Sequence, residues 1–472
     1  MIRKNWSLAA IIILTPLLLW AVLYILPTHD DWAGTTKPDF SPFFTKEHFF
    51  YFGYHWRPFD TWIGYINGRN PQLLFPAFNH ILVVLGHALC TVCLWQMMHR
   101  LQFSTTSRNI ASFCFFIIPA TMATVTAVDS QNQTYALIFG IISLLVYIRQ
   151  DRLKYALWPL TIFLSALFKE NGLMWVLIGP ILAFGFNIID RKTLLKDIII
   201  AIAIMAFYAL LIFIQPKDII IHPEYEPEPM KMVNNIVKFI FSSFFIVDYD
   251  YLLHQPHRNL YLAALSLLLS IPFMLLLIFS NKAKWISKPV AAIILSMIIA
   301  VSPHLLTIFS MMHTYAGLPF LALLMAYAID NGNPKHKPLF IVPFFLFVAT
   351  SIAIDVHLIS QSIKSGRIGK KMAQDAISKT GQPVDKVLVV IIEDDYPKLS
   401  SFCVIPNEAF GWGQATKYEN NYQWPKEVSD TIIARTPNAL SQAKEISSQL
   451  LQQSKADCIW IVDHADVYVV RP

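Results

Sequence analysis

The sequence predicts an all-α bundle of about eleven membrane-spanning helices (residues 1–363) with a small water-soluble α/β domain at its C-terminal end (residues 364–472). Three observations carry that prediction. First, only 14% of the 472 residues are charged and 55% are hydrophobic, against about 25% charged in an ordinary soluble chain. Second, the shortage is uneven, because 26 of the 109 residues from Lys364 onward are Asp, Glu, Lys or Arg, a soluble ratio. Third, the Lys and Arg residues before that point sit in short clusters between long apolar runs, as membrane topology requires. A single soluble enzyme is excluded, and so are disordered, fibrous and disulfide-scaffold classes.

A membrane helix takes about 20 mostly apolar residues. On that measure the spans run over 6–26, 73–98, 110–128, 134–148, 155–168, 173–189 and 197–214, then 260–280, 289–309, 315–329 and 339–358. The first run follows Arg3 and Lys4 and lacks a small-residue cleavage site, so it reads as a retained anchor. Residues 233–247 are apolar for too short a stretch to cross and read as an interfacial or re-entrant helix. In the tail, 387–392 reads as a strand, 437–453 as a helix, and 459–470 as a hairpin turning at Asp463-His464-Ala465-Asp466.

Orientation follows from cation bias. One set of very short loops holds fifteen Lys and Arg, among them Arg100, Arg108, Arg149, Lys192 and Lys288, and the opposite, longer set holds about nine. The first set is expected in the cytoplasm. The longest loop, 27–71, and the tail are then external. A net charge of +6 with no basic stripe and no interleaved aromatics gives no reason to expect nucleic acid. Cys90, Cys93 and Cys114 lie in apolar runs and read as small hydrophobes, whereas Cys403 and Cys458 could pair in an oxidising compartment.

Charges inside a bilayer are expensive and tend to mark function. Here they collect at the external helix ends, in four places. Thr28-His29-Asp30-Asp31-Trp32 follows the first span. Two adjacent carboxylates repel, which raises the pKa of one and suits a general base or a metal ligand; the plainer reading is a solvated loop start. Tyr54-His55-Trp56-Arg57-Pro58-Phe59-Asp60 offers a guanidinium fork for a phosphate and aromatic faces for a sugar, or else an interfacial anchor. Phe168-Lys169-Glu170-Asn171-Gly172 is a tight external turn with an ion pair that either braces the turn or faces a cavity, where Lys169 could contact a phosphate. Met312-His313-Thr314-Tyr315 opens the tenth span, where His313 or Tyr315 could reach the same cavity. His80 and His87 show no third ligand and read as core residues, and Asn132-Gln133-Thr134 is a glycosylation sequon by pattern alone.

In this order the motifs resemble the GT-C class of polytopic glycosyltransferases, closest to protein O-mannosyltransferases and the membrane regions of tetratricopeptide-bearing mannosyltransferases. The resemblance runs over roughly residues 1–330. It rests on Asp30-Asp31 after the first helix, on Trp56-Arg57-Pro58-Phe59 (similar to the family's Tyr-Arg-Pro-Leu), on Asn79-His80 with Gly86-His87, on Pro119, Val125 and Asp129-Ser130-Gln131-Asn132, on Lys169-Glu170, and on Val247-Asp248-Tyr249. Two positions depart from the family pattern: Met312-His313-Thr314-Tyr315 lacks the Arg usual before the Tyr, and Ala127-Val128-Asp129 lacks a Trp-Ile pair. The tail carries no tetratricopeptide pattern.

The resemblance implies an inverting transferase that moves a sugar from a polyprenyl-phosphate donor to a hydroxyl of a protein, lipid or glycan acceptor at the external membrane face. It implies Asp30 or Asp31 as base, Arg57, Lys169 and His313 on the donor phosphate, and Glu170, His55, Trp56 and Tyr315 in support. No cofactor is expected, and a divalent metal at Asp30-Asp31 is optional. The implied location is a bacterial inner membrane, with the site and tail facing the periplasm. A transporter or flippase of lipid-linked sugars, or a polysaccharide ligase, is the competing expectation.

Overall fold

A computed structural model describes residues 5–28, 31–32, 57–69, 71–149, 151–213, 228–244, 264, 286–305, 309–332, 341–393, 406–421, 423–453 and 455–472. Asp30, His55, Trp56, Cys403 and, residue 264 apart, the expected span 260–280 lie outside the described residues.

The apolar runs form helices. The first is α1, Trp6–Val22, followed by the amphipathic α2, Pro58–Arg69, and then α3, Ala77–Arg100, and α4, Thr105–Ile117. Ser104 caps α4 by accepting from the Ser107 amide at 3.2 Å. At Pro119, which has no N–H to offer, the chain bends by 50° into the short Pro119–Val125 segment. Next come α5, Gln131–Ile148, α6, Lys154–Phe168, and α7, Trp175–Gly185, which a single 3₁₀ turn, Glu170–Met174, joins to α6. The remaining helices of the bundle are α8, Arg191–Phe213, α9, Pro229–Phe244, α10, Lys288–Leu305, α11, Leu318–Asn331, and α12, Ile341–Thr380.

Five described helices are long and apolar enough to cross a bilayer, or six with the bent pair taken as one. Others, such as α1, α6 and α11, are apolar but shorter, so the figure of eleven spans does not follow from helix length. The outward faces are apolar as well: Ile12, Ile13, Leu17 and Trp20 of α1, Ile199 and Phe207 of α8, and Ile341, Val342 and Phe345 of α12 are all exposed. Such faces are stable only against lipid, and the chain is an integral multi-pass membrane protein. The interior holds large buried side chains including Leu94, Tyr147, Trp158, Tyr315, Phe320 and Phe347.

One buried charge pair lies away from the four clusters at the external helix ends. Lys154 Nζ lies 3.2 Å from Asp197 Oδ2, with both side chains buried, and the Tyr147 and Tyr155 hydroxyls donate to the same carboxylate. The network ties α5, α6 and α8 together, each polar group being satisfied by another.

Helix α12 continues 40 residues without a break, so the expected boundary at 363/364 falls inside it. Beyond it lies a four-stranded sheet in which the first strand is central, flanked by the second on one side and by the third and then the fourth on the other. Strand β1, Lys386–Ile392, runs parallel to β2, Glu427–Ile433, and to β3, Cys458–Asp463, while β4, Asp466–Val470, returns antiparallel to β3. The helix Ala439–Gln452 makes the crossover that the parallel pairing requires. Val387, Val389, Ile391, Trp460 and Val462 face α12, and Val390, Ile392, Ile459 and Ile461 face the crossover helix. Cys458 is a free, buried thiol.

Candidate active site

Lys169 is the one extended residue between α6 and the 3₁₀ turn that follows, with φ −156° and ψ 137°. The turn is tight because Gly172 lies against Ser165, where a Cβ would stand 2.6 Å from the Ser165 carbonyl carbon. That closeness requires glycine and fixes Lys169 and Glu170 at the mouth of α6. Arg57 meets Glu170 there from the start of α2, its Nε donating to Oε2 at 2.7 Å and its Nη2 to Oε1 at 2.6 Å. Burial works against the Arg57 charge, but Glu170 outweighs it and holds the guanidinium above its ordinary pKa.

The sequence left Glu170 as a possible partner of Lys169, and the structure gives it to Arg57 instead. Lys169 is buried, 5% exposed. Among the described residues no hydrogen bond or ion pair to its ammonium is found. Burial, followed by the Arg57 charge, pulls its pKa down to about 8, with Glu170, Asp129 and Asp60 acting the other way.

Asp60 stands one helical turn beyond Arg57. Gln131 Nε2 donates to its Oδ1 at 2.9 Å and Asn132 Nδ2 to its Oδ2 at 3.1 Å. Burial, opposed by Arg57 and by these amides, leaves its carboxyl at about 6. Asn132, a sequon by pattern, is therefore a buried support of Asp60 and not a surface acceptor of glycan.

Asp31 is buried and accepts three backbone amides: Thr28 N on Oδ2 at 2.9 Å, and Val128 N and Asp129 N on Oδ1 at 3.0 and 3.2 Å. Burial, and then the Asp129 charge, raise its pKa despite those bonds. Asn79 Nδ2 donates to the Val128 carbonyl at 3.0 Å, and Asn67 Nδ2 donates to Asn79 Oδ1 at 2.7 Å. The Val128 peptide is thus held on both sides, and Asp129 beside it acts electrostatically on Asp31, Arg57, Asp60 and Lys169.

His313 stacks on His304, ring centroids 4.1 Å apart, and its Nδ1 accepts from the Ser310 amide at 3.0 Å. Burial, then His304, Lys169 and Arg57, hold its imidazole well below the ordinary value, so it is neutral at pH 7. Asn171 Nδ2 lies 3.2 Å from His304 Nε2. Tyr315 turns the other way: its hydroxyl bonds His87 Nδ1 at 2.9 Å in the packed interior, and His87 Nε2 lies 3.1 Å from the Phe116 carbonyl oxygen.

The structure therefore brings Asp31, Arg57, Lys169, Glu170 and His313 into one electrostatic cluster and seats Tyr315 with the core histidine His87. Asp60, Asp129, Gln131, Asn132 and His304 also belong to the cluster. The first four lie within sequence motifs and were legible as motif members, whereas His304 ends an apolar helix and carries no local signal. Among the described residues no three His, Cys, Asp or Glu side chains gather to hold a metal ion.

These features define a class: an integral multi-pass membrane protein with buried charge of both signs concentrated at one set of helix ends. No family model matches the sequence, and no curated protein matches it. Solved structures that it resembles include the Archaeoglobus fulgidus oligosaccharyltransferase tethered to an acceptor peptide, at 14% identity and a TM-score of 0.48 over 97% of this chain and 69% of the other. They also include ArnT from Cupriavidus metallidurans bound to undecaprenyl phosphate, at 11% identity and a TM-score of 0.48 over 98% and 97%. A third is the mycobacterial arabinofuranosyltransferase AftD, at 16% identity and a TM-score of 0.44 over 100% of this chain and 38% of AftD.

Proposed function

We propose that the chain is an inverting GT-C-type glycosyltransferase that moves a sugar from a polyprenyl-phosphate donor to a hydroxyl of a protein, lipid or glycan at the external face of the membrane. The observation that carries this reading is Lys169, a buried ammonium whose carboxylate neighbour is engaged by Arg57. A buried cation is costly without a partner, and an anionic ligand supplies one. A phosphate on Lys169 would sit beside Arg57 and within reach of the field of the His304–His313 stack.

In the reaction the acceptor oxygen bonds to the anomeric carbon as the bond from that carbon to the phosphate oxygen breaks. The electron pair leaves on the polyprenyl phosphate, which Lys169 and Arg57 stabilise. The acceptor proton passes to a carboxylate. Both oxygens of Asp31 already accept backbone amides, so Asp30 is the better base and Asp31 its anchor. Direct displacement inverts the anomeric centre.

The test is a panel of polyprenyl-phosphate sugars incubated with purified protein in detergent, reading donor consumption. Consumption of at least one donor with release of polyprenyl phosphate is expected. Movement of intact donor across vesicles without consumption would replace this reading with that of a flippase.

A further inference from the structure

Trp32, the residue after Asp31, is 2% exposed, yet the side chains that bury it come largely from the far end of the chain. Its Nε1 donates to the Ala409 carbonyl at 3.4 Å. Its ring lies 5.5 Å from that of Tyr418 and 6.4 Å from that of Phe75, and the Tyr418 hydroxyl donates to the Phe75 carbonyl at 3.0 Å. Phe410, Trp460, Met372 and Val128 share the same apolar cluster.

The seat is shaped to the indole. Gly411 has φ +59°, where side chains are disfavoured, and a Cβ there would stand 2.3 Å from Trp32 Cδ1. Gly369 of α12 is pressed on the other side of the same turn, its Cβ position 2.1 Å from the Ala409 carbonyl oxygen.

We infer that the C-terminal domain is a positioning clamp: the Ala409–Gly413 turn grips Trp32 and so holds its neighbour Asp31 against the Val128 and Asp129 amides. The catalytic consequence rests on the proposed transferase reading, whereas the mechanical coupling does not. Trp32 and Gly411 are positioning residues that act through Asp31, and the sheet acts on the chemistry without touching the donor. A tail merely tethered by α12 would leave the amides at Val128 and Asp129 indifferent to it.

The experiment is hydrogen exchange on the full-length protein in detergent, read on peptides covering Val128 and Asp129, for Gly411→Ala and for the milder Tyr418→Phe. Ile461→Ala, which opens the opposite face of the sheet, controls for general loosening of the domain. Gly411→Ala is expected to speed exchange at Val128 and Asp129 by about tenfold or more, Tyr418→Phe by less, and Ile461→Ala not at all. Where a donor is turned over, Gly411→Ala should lower kcat with donor KM within about twofold, as for loss of positioning alone. Unchanged exchange at Val128 and Asp129 in both seat variants, or equal acceleration by Ile461→Ala, overturns the clamp. Failure to find any donor with the exchange pattern intact overturns the transferase reading and leaves the clamp standing.

Discussion

Arg57 and Glu170, 113 residues apart in the chain, close on each other at two points, at 2.7 and 2.6 Å. A guanidinium fork on a carboxylate is among the strongest pairings available to side chains. Its effect reaches beyond the pair: Glu170 is fully engaged across the groove between α2 and the turn after α6, so its own neighbour Lys169 is left for something else.

Lys169→Met should therefore weaken donor binding by about tenfold or more, since a hydrogen bond to a charged group contributes about 1.5–3 kcal/mol. The same variant should raise thermal stability, because it removes a buried ammonium. The sign follows from its pKa of about 8 against an ordinary 10.5. Between those values the unfolded chain holds a proton that the folded chain has lost, so wild-type stability rises with pH across that window. Below about pH 8 the burial penalty is present in full. Melting curves and donor titrations on the same variant from pH 7 to 10 check both arms, and lowered stability at pH 7 would mark Lys169 as a brace.

Arg57→Lys should be costly although it keeps the charge, because an ammonium cannot reproduce the two-point contact. A double-mutant cycle with Arg57→Ala and Glu170→Ala should give a coupling of about 1–3 kcal/mol in stability. Additive losses would mean that the pair contributes nothing of its own.

Asp30→Asn and Asp31→Asn should separate two roles. At Asp31 an amide group would set its own N–H donors against one of the three backbone amides, with a stability loss of about 1–3 kcal/mol. At Asp30 turnover should fall by about 100-fold with donor binding and melting nearly unchanged. The reverse pattern would move the base to Asp31.

Asp60 gives a stability signature in acid. Its carboxyl titrates at about 6, against an ordinary 3.8. Between those values the folded chain keeps a proton that the unfolded chain has lost, so this group lowers stability as pH rises from about 4 to 6. Asp60→Asn should flatten that part of the curve, and an unchanged slope would assign it to another group.

Topology can be tested at two exposed positions. An impermeant thiol reagent should label Ser448→Cys in intact cells or spheroplasts and should label Lys192→Cys only after permeabilisation. Labelling in the opposite order would place the charged cluster on the cytoplasmic side.

Much of the fold was legible because apolar run length is a strong signal. The runs at 134–148 and 155–168 sit almost on α5, Gln131–Ile148, and α6, Lys154–Phe168. The β-branched run at 387–392 coincides with β1, Lys386–Ile392. What composition hid was continuity: the charge shift near Lys364 reads as a boundary, but a helix needs only local hydrogen bonds and carries on through it. In the site, Lys169 and Glu170 stood out as charges at an apolar helix end, yet which of two cations takes Glu170 depends on a contact across 113 residues. The Lys154–Asp197 pair was missed for the same reason, each member reading alone as an ordinary loop-flanking charge.

Helix α12 is 40 residues long, which at about 1.5 Å per residue makes a rod of about 60 Å. The hydrocarbon of a bilayer is about 30 Å thick, so roughly half of the rod stands clear of it. Gly366 lets the rod touch Leu26, where the chain leaves α1, and Gly369 lets it touch the turn that seats Trp32. One unbroken helix thus joins the chain leaving α1 to the turn that seats Trp32, so the membrane bundle and the sheet share a single rod.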